Sequence, residues 1–407
     1  MRKDWDKEKI GNACDIFNGL WTGKKPPFVE VGVIRNTNFT KDGLLDDSEI
    51  AYLSVEEKQF ESRKLLKGDI ILEKSGGGPK QPVGRVALFE KNEGDFSFSN
   101  FTSAIRIKDR NKLDYNFLHR FLFFEYISGS TETMQRQSTG IRNLQLNEYK
   151  EIIIPIPPLP EQKRIVSIFD KAFAAIDKAK ANAEQNLNNA KELYENSLYN
   201  IFEDKNNWIA SELGKHATFR NGMNFSKSSK GEKIKIVGVK DFQNKYWIPF
   251  EELDSVNLDS NLKEIDALNK DDIIAVRSNG NPELIGRTLL AGDFEGKVSH
   301  SGFTIRIRLH TDELMPNYVC HFLKSQKARK SLIESGNGVS IKSLNQGSLS
   351  SLTINYPKST TEQKQIVSKI ESLKEETEKL KKIYCRKLDD LDELKKSILH
   401  KAFNGEL

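Results

Sequence analysis

The chain repeats itself once over nearly its whole length, and that duplication constrains the fold more than any single motif. Trp5 is followed five residues later by IGNACDIFNG, and Trp208 five residues later by LGKHATFRNG. Gly11, Asn18 and Gly19 thus match Gly214, Asn221 and Gly222, each 203 positions on. The match continues downstream: KGDIILEKSGGGP from Lys67 aligns with KDDIIAVRSNGNP from Lys270, and Gly84-Arg85 with Gly286-Arg287. SAIRIKDRNKLDYNFLHRFL aligns with FTIRIRLHTDELMPNYVCHFL, and Glu161-Gln162-Lys163 with Glu362-Gln363-Lys364. The slowly drifting offset implies small loop insertions in two collinear copies. A period this long is not that of a solenoid; it describes two copies of a whole domain and its trailing segment.

Each copy has two parts. Short apolar runs at 69–72 and 104–107, matched at 272–276 and 304–307, read as strands bounded by Gly, Asn, Asp, Ser and Pro. Segments 115–126 and 316–325 read as short helices. The expected head is a mixed α/β domain with an irregular, loop-rich sheet. The trailing segments carry apolar or small residues at steps of three and four. The first series runs from Ile165 through Phe169, Ile176, Ala183 and Ala190 to Ile201. The second runs from Ile366 through Ile370, Leu380 and Leu391 to Ile398. Such stripes predict long coiled-coil helices. Pro160 suits a first helical position, Thr360-Thr361-Glu362-Gln363 offers a capping box, and Gly405 a stop. The domains expected are therefore a head at 1–159, a helix at 160–203, a head at 204–359 and a helix at 360–407. About 40 helical residues span about 60 Å. Two such helices bury their stripes most simply against each other. The expected architecture is α+β and pseudo-twofold: two duplicated heads separated by two long antiparallel coiled-coil helices.

Composition narrows the function classes. The chain has 407 residues, 30% charged and 37% hydrophobic, with a net charge of +5. It is a globular composition whose mild basic excess permits a polyanionic partner. Cys14, Cys320 and Cys385 form no CxxC pair and have no histidine at ligand spacing, which argues against zinc or a disulfide framework and fits a reducing cytoplasm. The N-terminus lacks the apolar core of a signal peptide, and no apolar run is long enough for a bilayer.

Two heads held apart by a fixed rod suit DNA, each head reading a half-site and the rod setting the interval. Because the heads differ in their loops, the site should be asymmetric. Lys74-Ser75-Gly76-Gly77-Gly78-Pro79-Lys80 lacks the ending of a phosphate loop. Its counterpart is Arg277-Ser278-Asn279-Gly280-Asn281-Pro282, so both copies keep a cation and a serine, as a loop approaching DNA would. The polar stretch Gln135-Arg136-Gln137-Ser138-Thr139-Gly140-Ile141-Arg142-Asn143 and its counterpart around Asn337 and Lys342 read as loops with donors for guanine and adenine. Arg85 and Arg287 complete the candidate DNA-binding set. Ordinary tight turns and solvated loops are the competing reading of each.

No catalytic or metal site emerges. Lys25-Pro26-Pro27-Phe28 has lysine where an amino-methyltransferase motif has Asn or Asp, and reads as a loop. Asp69 and Glu73-Lys74 lack nuclease spacing, and Val276 replaces Glu73 in the second copy. The six histidines are scattered.

The segment IIIPIPPLPEQKRIVSIFDKAFAAID from Ile152, and the tail TEQKQIVSKIESL…KKSILHKAFNGEL from Thr361, resemble the two conserved regions of Type I restriction–modification specificity subunits. The Trp…Gly…Asn-Gly opening at Trp5 and Trp208 is similar to that of the family's target-recognition domains. Tyr356-Pro357-Lys358-Ser359 departs from the Pro-rich pattern kept at Ile156-Pro157-Pro158-Leu159. The resemblance implies a non-catalytic protein that binds a split double-stranded DNA site. It implies two modification subunits as partners, holding S-adenosylmethionine and methylating adenine. Restriction subunits bring ATP and magnesium. No cofactor is then expected on this chain. An adaptor whose heads bind protein is the alternative.

Overall fold

The computed structural model describes residues 5–21, 23, 25–78, 81–138, 140–203, 207–226, 228–243, 245–334 and 343–407. It divides into two compact units, Met1–Glu184 with Arg386–Leu407, and Gln185–Cys385. The division falls inside both long helices, Leu159–Ile201 and Thr360–Asn404.

In the first unit the head is built on a four-stranded antiparallel sheet. Its order is Cys14–Asn18, Thr102–Ile107, Ile70–Glu73, Val86–Leu88. The continuous apolar run of the third of these is explained by burial on both faces. Ile70 and Leu72 join one core cluster, while Ile71 faces another with Ile34, Phe89 and Phe98. The second cluster is closed by a three-stranded sheet, Ala51–Glu56, Phe28–Ile34 and Phe96–Phe98, whose last pairing is parallel. Asp6–Lys9 pairs with Ile153–Ile156.

Among the described residues the second head repeats these sheets strand for strand. Ala217–Asn221, Thr304–Leu309, Ile273–Val276 and Thr288–Leu290 form its four-stranded sheet. Asp254–Asn257, Lys233–Val237 and Val298–His300 form the smaller one, again with one parallel pair. The paired Asn-Gly dipeptides also acquire a reason. A side chain at Gly19 or Gly222 would collide with the carbonyl oxygen of Ser99 or Ser301.

Each unit buries segments of both long helices. In the first, Ile165, Phe169, Phe173 and Ile176 share a core with Leu399, Ala402 and Phe403. Phe403 packs its ring among Phe117, Phe121 and Phe124 of the helix Tyr115–Ile127, edge-on to the first two, at 5.3–5.5 Å between centroids. The contacts of Phe169 with Phe403 and of Asp177 with Lys395 fix an antiparallel register there. In the second unit Phe202 plays the part of Phe403, 5.4 Å from Tyr318 and 5.7 Å from Phe322, beside Val367 and Ile370.

The Glu-Gln motif is a structural lock. Gln162 is fully buried; its Nε2 donates to Pro157 O (2.7 Å) and Lys112 O (2.9 Å), and its Oε1 accepts from Asp114 N. Gln363 repeats all three bonds with Pro357 O, Glu313 O and Met315 N. Gln363 is therefore not part of the capping box expected at Thr360. The cap lies one residue earlier, where Ser359 Oγ accepts from Glu362 N. At the far end Gly405 adopts a positive φ of 76° and terminates the helix as expected.

Among the described residues no helix is long and apolar enough to cross a membrane.

Candidate nucleic-acid interface

The two polar stretches singled out in the first copy come together. Both depart from the expected loops. Ser75–Gly77 is a strand, and Gln135–Ser138 with Ile141–Leu144 is a hairpin; the three form one antiparallel sheet. The reason is backbone pairing that periodicity could not reveal. Lys74 N donates to Phe101 O at 3.0 Å, and Leu144 N donates to Lys74 O at 2.8 Å. Ser75 Oγ and Asn143 Oδ1 lie 2.6 Å apart, and Asn36 Nδ2 donates to Ser75 O at 2.7 Å.

Lys74 Nζ donates to Asn18 Oδ1 at 2.6 Å, which also accepts from Ser103 Oγ. Partial burial holds the Lys74 ammonium below the usual lysine range. Gly76 has a φ of 103°, a conformation that glycine adopts without strain. Arg136 is exposed and Arg142 half-buried on the hairpin. Gln137 and Ser138 enter through the backbone of their strand. Lys80 lies outside the described residues.

The second head carries the same frame with different side chains. Arg277 N donates to Phe303 O at 2.8 Å, and Leu344 N to Arg277 O at 2.8 Å. Ser278 bridges to Ser343. Arg277 Nη1 reaches Gly302 O at 3.3 Å. Asn279 Oδ1 accepts from Asn281 N, closing a tight turn. Asn337 and Lys342 lie outside the described residues.

The frame also presents an aromatic at matched places, which the sequence reading passed over. Phe101 and Phe303 are 47% and 62% exposed at the turn that holds the cation. Their shared position before Thr102 and Thr304 was the available signal.

Arg85 and Arg287 part company. Arg85 gives a bidentate pair to Glu73, Nε and Nη2 each at 2.8 Å, and this partner raises its pKa. Arg287 has Val276 where Arg85 has Glu73, and donates Nε to Glu283 O at 3.2 Å. Asp69, also considered as a nuclease ligand, is neutralised by Arg106 at 2.6 and 2.8 Å, as Asp272 is by Arg308 at 2.7 Å. Among the described residues no group of three or more His, Cys, Asp or Glu side chains could hold a metal ion.

Two like heads thus each present a cation, a serine and an exposed aromatic on one polar edge, the layout of a duplicated two-headed module. The chain belongs to the family of the Type I restriction modification DNA specificity domain, whose family model matches residues 2–189 and again 205–384. It is similar to the Type I restriction enzyme StySPI specificity subunit of Salmonella potsdam, 27% identical over all of this chain and 90% of that one. It is also similar to the EcoKI specificity subunit of Escherichia coli strain K12, 25% identical with the same coverage. In fold it resembles a chain solved in work on complex assembly and conformational transition of the Type I system, with a TM-score of 0.78 and 17% identity. That likeness covers all of this chain and 99% of the other. The HsdS subunit from Thermoanaerobacter tengcongensis gives a TM-score of 0.64 at 16% identity, covering all of this chain and 98% of that one.

Proposed function

We propose that each head reads one half of a split, asymmetric double-stranded DNA site, and that the long helices set the interval between the halves. In this reading the first head contacts DNA through Lys74, Ser75, Gly76, Gly77 and the hairpin bearing Arg136 and Arg142. The second does so through Arg277, Ser278 and Asn279. Lys80, Gln137, Ser138, Asn337 and Lys342 extend the same two edges. Arg85 belongs behind the first edge, positioning Glu73 and the backbone around Asn36. The observation that carries the reading is the matched frame of Lys74 with Phe101 and Leu144, and Arg277 with Phe303 and Leu344. One backbone device presents two different side-chain sets, as two different half-sites require.

The chain itself is then non-catalytic and works in the cytoplasm. Two modification subunits dock on it, hold S-adenosylmethionine and methylate adenine, and restriction subunits using ATP and magnesium can join. The experiment is methylation mapping of host DNA with the gene intact and deleted. Loss of one split, asymmetric adenine-methylation motif is expected. If the methylome is unchanged and the full chain shows no sequence preference in DNA binding, the adaptor reading replaces this one.

A further inference from the structure

In the second unit a cleft of about 660 Å³ opens between the head and the helix Thr360–Asn404. Arg287, Lys324, Arg329 and Lys374 line it. Among the described residues none of these four forms an ion pair. Arg287 and Arg329 both donate to Glu283 O, at 3.2 and 2.9 Å. Lys324 Nζ donates to Lys245 O at 3.2 Å and Thr288 O at 2.6 Å, and Lys374 Nζ stands 5.8 Å from the centre of the Tyr246 ring. Two more cations, Lys245 and Lys381, are each balanced by one carboxylate, Glu252 and Glu378.

Burial, and then the neighbouring cations, hold Lys324 and Arg329 below their ordinary pKa values. Arg329 Nε is buried with no hydrogen-bond partner, as is Nε2 of His321, which stacks on Tyr246 at 4.6 Å. Half-buried like charges repel and are poorly solvated, so the arrangement costs stability until an anion enters.

The first unit shows that the fold does not require this. The ladder bond from Glu73 N to Arg85 O recurs from Val276 N to Arg287 O, which aligns the two places. There Glu73 neutralises Arg85. Phe123 and Phe173 occupy the positions of Lys324 and Lys374. Lys395 lies 4.8 Å over the Phe173 ring, 2.5 Å from Asp42 and 3.8 Å from Asp177. Charge is balanced in the first unit and left in excess in the second. The same ladder puts Arg287 beside the strand that leads into Arg277, so the cleft adjoins the second recognition edge.

We propose that this cleft is a phosphate-binding site. Its two guanidinium groups can fork onto phosphate oxygens while the lysines supply point charge. The phosphate comes either from the backbone of the DNA on the second head, a source that rests on the function proposed above, or from a free polyphosphate.

The test uses the full chain and the double variant Arg329→Gln/Lys374→Gln, with Lys374→Gln alone as a second, milder change on the helix. Inorganic tripolyphosphate is titrated calorimetrically, and the salt dependence of binding to a duplex carrying the mapped site is measured. If a DNA phosphate sits in the cleft, the log–log salt slope becomes shallower by about 1 for each cation that the substitutions take away from it. A free polyphosphate leaves that slope alone, and the variants lose tripolyphosphate binding. If both slope and tripolyphosphate binding match the wild type, the site is not there. Should the wild-type chain show no sequence preference for DNA, the proposed function falls, and the tripolyphosphate titration still decides the site.

Discussion

Glu73 and Arg85 form a bidentate ion pair in which the carboxylate is 2% and the guanidinium 15% exposed. The pair joins the central strand of the first head to its edge strand, and Arg85 also reaches Asn36 O and Phe39 O. Removing one partner of a buried pair leaves the other charge uncompensated, at about 3–5 kcal/mol. Glu73→Val, which copies the second head, is expected to destabilise the chain by about 3 kcal/mol in urea unfolding. Glu73→Val/Arg85→Met should recover most of the loss, because no buried charge is then left alone. A double variant as unstable as the single one would show that the ion pair is not the source.

Gln162 and Gln363 predict a different signature. Each buried amide donates to two backbone carbonyls and accepts one backbone N–H. Glutamate keeps the shape and the acceptor but cannot donate when ionised. Gln162→Glu and Gln363→Glu should each cost at least the about 1–3 kcal/mol of an unsatisfied buried group. If Gln162→Glu unfolds at the wild-type midpoint at pH 7, the amide's donor bonds contribute nothing.

The duplication, the strands and the long helices were legible because burial leaves a period. The run at 69–72 emerges as Ile70–Glu73, and the helix begun at Pro160 starts one residue earlier, at Leu159. The recognition edge was only half legible. Lys74 and Arg277 stood out as shared cations. The sheet uniting Ser75–Gly77 with Ile141–Leu144 did not, since its strands are short, polar and held by backbone bonds 68 residues apart or thereabouts, as between Ser75 and Asn143. Phe101 and Phe303 were hidden as well. Each is a lone aromatic among polar or small residues, Asn100 and Thr102 or Gly302 and Thr304, so no periodic pattern marks it, and only the turn geometry shows it facing outward.

Histidine burial sets an acid limit. His119 is held neutral, with a pKa pushed down to about 3 by burial and then by Arg120, while Nε2 lies 2.7 Å from Gly43 O. His300 and His321 are likewise depressed to about 3, burial being the main cause. Below pH 6.5 the unfolded chain gains a proton that the folded chain refuses. Stability contributed above that pH is therefore lost as pH falls from 6.5 toward 3, at about 1.4 kcal/mol per pH unit for each such histidine. His119→Gln should lower stability at pH 7 by removing the fitted ring, yet flatten its pH dependence between about 6 and 4.5 by about that slope. An unchanged slope would mean that His119 takes up its proton in the folded state.

Lys74 and Arg277 occupy one place in two frames, so their loss should be felt separately. Lys74→Ala is expected to weaken discrimination at one half-site and Arg277→Ala at the other, by about 1–3 kcal/mol if each contacts a base edge. Binding to duplexes with each half scrambled in turn separates the two. Equal loss at both halves from either variant would assign that residue to folding or assembly.

The long helices supply the last prediction. Asp177 and Lys395 hold their register in the first unit, and Leu198 enters the core of the second. Seven residues inserted after Ala183, with seven more after Leu388 to keep the antiparallel stripes in step, preserve the heptad pattern and add about 10 Å of helix. The expected consequence is a recognition site whose two half-sites are unchanged and whose interval grows by up to about three base pairs, at about 3.4 Å per step. Methylation mapping of cells carrying the lengthened protein reads the interval directly. An interval that stays the same, with both half-sites still methylated, would show that something other than these helices sets the spacing.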